Sequence, residues 1–306
     1  MNIVENERKI KELQARVLTL EPGQEYDTLT KQIDELIKET YENLSAWDRV
    51  TLARDPSRPK ASDFIEGLFH DFYEFHGDRC FGDDHAMIGG IAYFHDKPVT
   101  VIAQAKGKSL QENLERNFGM CNPEGYRKAL RLAKQAEKFH RPIITFVDTA
   151  GAYPGIEAEE RGQAQAIAEC LYTFSDLKTP VICVVISEGG SGGALALSVA
   201  DRICMMENAI YSVLSPEGFA SILWKDETRA QEAAEVMKLT SYDLYQKGII
   251  DYLVKEPTGG MQNDLKLVLH DLDRYLTQEL EKLENMKEKD MLEKRYQKFR
   301  EMGRMS

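Results

Sequence analysis

Apolar residues in the first fifty positions recur at helical spacing. Ile10, Leu13, Val17 and Leu20 form one stripe, Glu21-Pro22-Gly23 breaks it, and Tyr26, Leu29, Ile33, Leu36 or Ile37, and Leu44 form a second. The pattern predicts an antiparallel helical hairpin over residues 5–48. Neither helix buries its stripe alone, so the hairpin is expected to pack on the core or on another subunit. Arg54-Asp-Pro-Ser-Arg-Pro-Lys60 reads as a linker, because its two prolines oppose regular structure. Phe64, Ile65, Leu68, Phe69 and Phe72 suggest another helix, followed by a polar loop over 76–84.

From Ala86 the period changes. Ile88–Phe94 and Val99–Gln104 read as a strand pair turning at His95-Asp96-Lys97-Pro98. Residues 109–122 form a polar loop with one helical turn, and Glu124–His140 is an amphipathic helix. Pro142–Asp148 and Pro180–Ser187 are apolar throughout, as strands buried on both faces are. The first ends in Thr149-Ala-Gly-Ala-Tyr-Pro-Gly155 and precedes a helix over 157–177. The second ends in a glycine run and precedes a helix over 194–200. Short strands follow at 201–206 and 209–213, then helices over 217–247 and an edge strand over 248–254. Residues 265–304 read as one long charged helix, or two, exposed or facing a partner. Strand, loop and helix repeat, so the class is α/β with a sheet covered on both faces. A doubly wound fold and a crotonase-like ββα superhelix both satisfy it; the hairpin at 88–104 favours the second.

The chain has 306 residues, 42% hydrophobic and 29% charged, with a formal net charge of -12. That is enough for one sizeable core, and the acidic balance argues against nucleic acid or anionic membrane as partner. The five cysteines form no CxxC pair, and Cys170, Cys183 and Cys204 sit in apolar surroundings as buried thiols do. The histidines show no HExxH or ribbon spacing, so no metal site is expected. The opening Met-Asn-Ile-Val-Glu-Asn lacks the basic lead and apolar stretch of a secretory signal, and the expected location is cytoplasmic.

The strongest chemical signal is Glu188-Gly189-Gly190-Ser191-Gly192-Gly193, placed between a buried strand and a helix. Glycine lets the backbone approach a ligand, and a helix start offers unpaired N–H groups and positive potential to an oxygen gaining charge. The same glycines would also permit a crowded crossing of chains. No GxxxxGK[ST] or GxGxxG occurs, which argues against P-loop and dinucleotide sites. Gly189-x-Ser191-x-Gly193 fits the nucleophile-elbow pattern, but His270 is the only later histidine and lies in a charged helical stretch. Asp148 would serve as a base, or cap a turn, or pair with Arg161. Lys106, Lys108 and Arg116 bring positive charge for phosphates, for a partner's acidic surface or simply for solvent. Ser215-Pro216-Glu217 fits a helix start with Ser215 as cap.

Several stretches resemble the alpha-subunit family of bacterial acetyl-coenzyme A carboxylase carboxyltransferases. They are Phe75-His-Gly-Asp-Arg79, Glu112-Asn-Leu-Glu-Arg-Asn-Phe-Gly-Met120, Pro123-Glu-Gly-Tyr-Arg-Lys-Ala129, Ala150–Gly155, Glu159-Glu-Arg-Gly-Gln163, Glu188–Ala196, Tyr211–Gly218 and Ser221–Lys225. Gly248–Gly260 and the N-terminal hairpin extend the likeness to most of the chain. Two positions depart from it: Ala150 stands where a Thr-Pro-Gly turn is more frequent, and Ser187 where glycine is common.

The resemblance implies a crotonase-like (ClpP/crotonase) superhelix. It divides the chain into a helical hairpin and linker over 1–60, a carboxyltransferase core over 61–260 and a charged C-terminal helix over 261–306. It implies transfer of a carboxyl group from carboxybiotin, carried on the biotin carboxyl carrier protein, to acetyl-coenzyme A, giving malonyl-coenzyme A at a subunit interface. Partners implied are a zinc-bearing beta subunit in an α2β2 complex, and biotin carboxylase, which uses ATP elsewhere. The ureido group left by release of carbon dioxide acts as base, so the protein must supply donors rather than a side-chain base. On that footing the N–H groups of Gly192 and Gly193 are expected to hold the biotin oxygen. Gly151, Ala152, Tyr153, Pro154 and Gly155, with Gly189 and Gly190, are expected to shape the biotin site. A non-catalytic alternative, docking of the biotinylated carrier through the helical termini, rests on the hairpin and C-terminal helix. A stand-alone enoyl-coenzyme A hydratase or isomerase shares the fold, but no carboxylate pair follows the glycine run.

Overall fold

The computed structural model of the chain describes residues 3–304. Helices α1 (Ile3–Val17) and α2 (Gln24–Tyr41) form the expected hairpin. It closes on its own stripe of Ile10, Leu29 and Ile33, with Tyr41 Oη donating to Glu7 at 2.6 Å. The second helical segment stops earlier than its apolar spacing suggests. Ser45 caps a separate helix, α3 (Ala46–Ala53), and forms a capping box with Asp48. Helix α4 (Ala61–Leu68) likewise ends before Phe72, because His70–Glu74 is an edge strand, β1.

Strands β2 (Met87–Phe94) and β3 (Lys97–Gln104) pair antiparallel; β3, β4 (Ile143–Thr149) and β5 (Val181–Gly190) pair in parallel. The β4 strand is buried at every residue, and β5 everywhere except Glu188 and Gly190. Strand β5 then serves two neighbours. Its first half pairs with β6 (Arg202–Met206), and its last residues, Glu188–Gly190, pair with β7 (Ile210–Ser212). Strand β8 (Tyr252–Val254) completes the sheet beside β6. After the short helix α5 (Leu110–Glu115), helix α6 (Pro123–Lys138), with Pro123 opening its first turn, lays Tyr126, Leu130, Ala133 and Ala136 on the sheet. Beyond the short helix α7 (Ile156–Glu160), helix α8 (Gln163–Asp176) packs against α6, and Phe64 and Phe69 pack on Phe146 from the other side.

Three findings change the picture read from sequence. The glycine run is not a loop: β5 continues to Gly190, and helix α9 (Ser191–Ser198) starts three residues before the expected Ala194. Residues 217–247 break into α10 (Pro216–Trp224), α11 (Ala230–Met237) and α12 (Ser241–Gln246), with left-handed Lys225 and Lys238 ending the first two. The C-terminal segment also differs from an exposed helix. It is two helices, α13 (Leu265–Glu284) and α14 (Glu288–Glu301), and Val268, Leu272, Leu276, Leu280, Leu283 and Met291 belong to the main core. Arg295, fully buried, pairs with Asp201 and donates to the carbonyls of Phe174, Leu177 and Thr179. Alternating charges signalled solvent; the apolar stripe between them was core. Among the described residues, no helix is long and apolar enough to cross a membrane.

Candidate functional site

Neighbouring parallel strands β4 and β5 end together, and each carries a glycine-bearing segment at its C-terminal end. That end of an open parallel sheet is where ligands bind in α/β folds. The two segments touch. A Cβ on Gly190 would lie 2.0 Å from the Ala150 carbonyl oxygen, and one on Gly193 would lie 2.6 Å from the Ala152 nitrogen. Gly192 differs, since a Cβ there would meet Ile167 of α8 at 3.6 Å, an ordinary contact. Gly190 and Gly193 therefore permit the crossing of chains, and Gly192 does not need its bare Cα for packing.

Ser191, Gly192 and Gly193 form the first turn of α9, so their N–H groups have no acceptor within the helix. The helix is fixed from below by side chains of the sheet. Gln104 Nε2 donates to the Gly193 carbonyl at 2.7 Å, and Thr145 Oγ1 to that of Leu197 at 2.8 Å. The 149–155 segment is fixed as well: Thr149 Oγ1 donates to the Gly151 carbonyl, and Gln163 Nε2 to that of Tyr153. Ser191 has φ of 51°, the left-handed region that non-glycine residues seldom adopt, on a strand-to-helix turn. This is the backbone shape of a nucleophile elbow, yet no histidine hydrogen-bonds its hydroxyl among the described residues. His70, His76 and His95 are engaged elsewhere, and His270 lies on α13.

Beneath the glycines lies a charged cluster that sequence reading did not assemble. Lys106 Nζ bridges Asp148 at 2.9 Å and Glu188 at 2.6 Å. Arg54 continues the chain, from Glu188 at 2.9 Å to Glu217 in the first turn of α10 at 2.7 Å. Burial by itself would raise the Glu188 carboxyl; Lys106 and Arg54 outweigh it and hold the group below its ordinary value. Burial would likewise lower the Lys106 ammonium, and Asp148 and Glu188 outweigh it and raise the group. Asp148 pairs with Lys106 and not with Arg161, which binds Glu124 instead. Lys106 is thus no basic patch; Lys108 is paired to Asp63, and Arg116 donates to the His85 carbonyl. The linker prolines hid Arg54 and Arg58. Arg58 is buried against Glu256 and donates to Ser187 Oγ at 3.2 Å, which gives the serine at that position a partner a glycine would lack.

A cleft of about 560 Å³ opens at Ser191 and Gly192. Its walls are mainly apolar and include Leu195, Tyr211, Val213, Leu214, Phe219 and Ile249, with Lys238 and Lys247 also lining it. The Tyr211–Gly218 stretch thus lines a cavity as well as starting α10, where Ser215 caps the Gly218 N–H at 3.1 Å. The structure brings Gly151 and Ala152 against Gly193, and Ala150 against Gly190. Gly189 packs on the Tyr211 ring, and the Tyr153 ring folds over Gly155. None of Gly151, Ala152, Tyr153, Pro154 and Gly155 lines the apolar cleft, which lies on the Gly192 side.

Comparison with known proteins gives a consistent result. The family model described as acetyl co-enzyme A carboxylase carboxyltransferase-like matches residues 1–303. The acetyl-coenzyme A carboxylase carboxyl transferase subunit alpha of Alkaliphilus oremlandii is 52% identical over 311 residues, covering 99% of this chain and 98% of that protein. That of Bacillus subtilis is 50% identical over 312 residues, covering 99% and 96%. Among solved structures, transcarboxylase 12S with methylmalonyl-coenzyme A bound superposes with a TM-score of 0.63 at 20% identity, over 78% of this chain and 45% of that one. A Pseudomonas malonate decarboxylase hetero-tetramer in complex with coenzyme A gives 0.59 at 16% identity, over 70% and 86%. At such identities the likeness is one of fold, and the fold is the crotonase-like α/β class.

Proposed function

The chain belongs to the acetyl-coenzyme A carboxylase carboxyltransferase-like family, and on that premise we propose that the first turn of α9 is the biotin-side half of a transfer site. The chain acts as the carboxyltransferase alpha subunit of acetyl-coenzyme A carboxylase, carboxylating acetyl-coenzyme A to malonyl-coenzyme A at the start of fatty acid synthesis. The reaction is biotin-dependent. In our reading carboxybiotin arrives on a carrier protein, and the chain works in an α2β2 complex whose beta subunit carries the zinc and the coenzyme A side. ATP is used by biotin carboxylase, away from this site, and the assembly is cytoplasmic.

One observation carries this assignment: unpaired first-turn amides stand at the head of an apolar cleft, and Gly192 belongs to both. The cleft is of a size for a fused bicyclic ring and its aliphatic arm, and its Leu, Val and Phe walls suit those groups. Carboxybiotin, when bound, supplies the carboxyl group and the base that takes a proton from the acetyl methyl. The chain's own part is electrostatic. The N–H groups of Gly192 and Gly193 donate to the ureido oxygen as it gains charge, and one such donor is worth about 3 kcal/mol. The carboxylates at the ends of the same two strands, Asp148 and Glu188, are held in ion pairs with Lys106 and do not serve as bases. Gly151–Gly155 act behind the helix as support for its first turn.

The test is reconstitution. The purified chain is mixed with its beta partner and carboxyl transfer from carboxybiotin to acetyl-coenzyme A is followed with a labelled carboxyl. Transfer by the complex, with none by either chain alone, is expected. An assembled complex without transfer would refute the reading.

A further inference from the structure

We propose that Lys106 is a positioning residue of the glycine site: it clamps the ends of β4 and β5 so that the first turn of α9 faces its ligand. The inference rests on the reading of that turn as the biotin-side donor.

Three adjacent strands deliver the parts. Lys106 follows β3, Asp148 lies at the end of β4 and Glu188 near the end of β5, all at the edge from which the two glycine segments depart. Between Val147↔Val185 and Thr149↔Gly189 the β4–β5 register slips, a step of two residues on one strand against four on the other. The slip takes the Glu188 N–H out of the ladder with β4, and Asp148 Oδ1 accepts it at 3.3 Å. Lys106 then ties the same Asp148 oxygen to the Glu188 side chain. The clamp is roofed by Gly119, where a Cβ would lie 2.9 Å from Lys106 Cγ and 2.7 Å from the Asp148 carbonyl oxygen. Arg54 holds the outer side of Glu188, and Lys60 faces Asp148 and Lys106 from the start of α4.

Stability does not account for this expense of charge. A buried ion pair is about as stable as a well-packed apolar replacement, or less so. What the pair does supply is a fixed distance between two strand ends, at the one place where the ladder between them is broken. Glu188 is three residues before Ser191, so a shift of its side chain moves the amides of the first turn. An error of ~1 Å in a reacting group costs about 10²-fold in rate.

The experiment uses the assembled complex and compares wild type with K106M, K106R and E188Q. We expect K106M and E188Q to lower kcat about tenfold or more at saturating substrates, while KM for acetyl-coenzyme A stays within about twofold. Lys106→Arg, which keeps the bridging charge, is expected to restore most of the lost kcat. K106M leaves Asp148 and Glu188 buried without their shared cation and is expected to lose stability as well. The comparison of melting temperature with kcat therefore rests on E188Q, in which Lys106 keeps Asp148 and the melting temperature is expected to fall little. Should K106M fail to assemble, E188Q decides alone, because glutamine keeps the length and hydrogen-bonding atoms. An unchanged kcat in E188Q, or a loss that only tracks the folded fraction, overturns the proposal. Wild-type transfer in the same assay keeps the two readings apart. Its absence would overturn the function itself, whereas active wild type with equally active variants would overturn only the role of Lys106.

Discussion

Replacing Gly193 with alanine, against Gly192→Ala as its neighbour, separates the packing of the turn from its chemistry. The new methyl at 193 would sit 2.6 Å from the Ala152 nitrogen, 2.8 Å from the Gly151 carbonyl carbon and 2.8 Å from the Tyr126 hydroxyl. Two of those atoms are backbone and cannot rotate away, so α9 and the 149–155 segment must part. Overpacking of this kind costs about 1–3 kcal/mol. At 192 the nearest atoms are Ile167 Cγ2 at 3.6 Å and Cδ1 at 3.9 Å, and the methyl points at α8 rather than into the cleft. Both variants recover the same ~0.5–1 kcal/mol of helix preference on leaving glycine, so it cancels between them. The stability gap is therefore about 1–3 kcal/mol, or several degrees in melting temperature. Thermal unfolding of the two variants reads the gap, and kcat of the reconstituted complex reads the displacement. Gly192→Ala is expected to stay within about threefold of wild type and Gly193→Ala to fall about 10–100-fold. Equal melting temperatures and equal kcat in the two would refute the reasoning.

Other consequences follow from buried charges. Arg295→Met leaves Asp201 and three backbone carbonyls without their donor and should cost about 3–5 kcal/mol, with α14 becoming sensitive to limited proteolysis before the rest of the chain. Arg58→Met should cost a similar ~3–5 kcal/mol in thermal or urea unfolding, because Glu256 stays buried and loses its counter-charge. The Glu188 carboxyl is held below its ordinary 4.5, so the unfolded chain takes up that proton first as pH falls. Its contribution is complete above 4.5 and disappears as pH drops through the lower folded value. The stability difference between wild type and E188Q should therefore be constant from pH 7 to 5 and narrow below 4.5, as melts across that range would read.

Much of this architecture was legible in the chain because its strands are apolar throughout and its helices amphipathic. The β2–β3 hairpin, the buried β4 and β5 and the helix after each were read from period and composition alone. What escaped had particular causes. Helix α3 was hidden because the apolar spacing of α2 runs on past Tyr41, and only the Ser45–Asp48 capping box marks the restart. Strand β1 is five residues long with polar His70, Asp71 and Glu74, too short to show a period. At the site, the glycines were legible and their division of labour was not. Whether a glycine is bare for a ligand or for a neighbouring chain depends on what lies within 4 Å of the place a Cβ would take, and Gly193 and Gly192 differ there by tertiary contacts alone. The cluster of Arg54, Lys106, Asp148, Glu188 and Glu217 joins residues up to 163 positions apart, so their pairing is set by strand order and not by spacing. Arg295 was masked by the charged helix around it.

The central claim is that backbone N–H groups at the start of α9 hold the oxygen that gains charge. Replacing the 192 or 193 amide by an ester, through incorporation of glycolic acid in place of glycine, removes one donor and leaves the shape of the turn. In the assembled complex the account predicts a fall in kcat of about 10²–10³-fold for at least one of the two positions, with the complex intact. Full activity with both esters, in a folded complex, would contradict it.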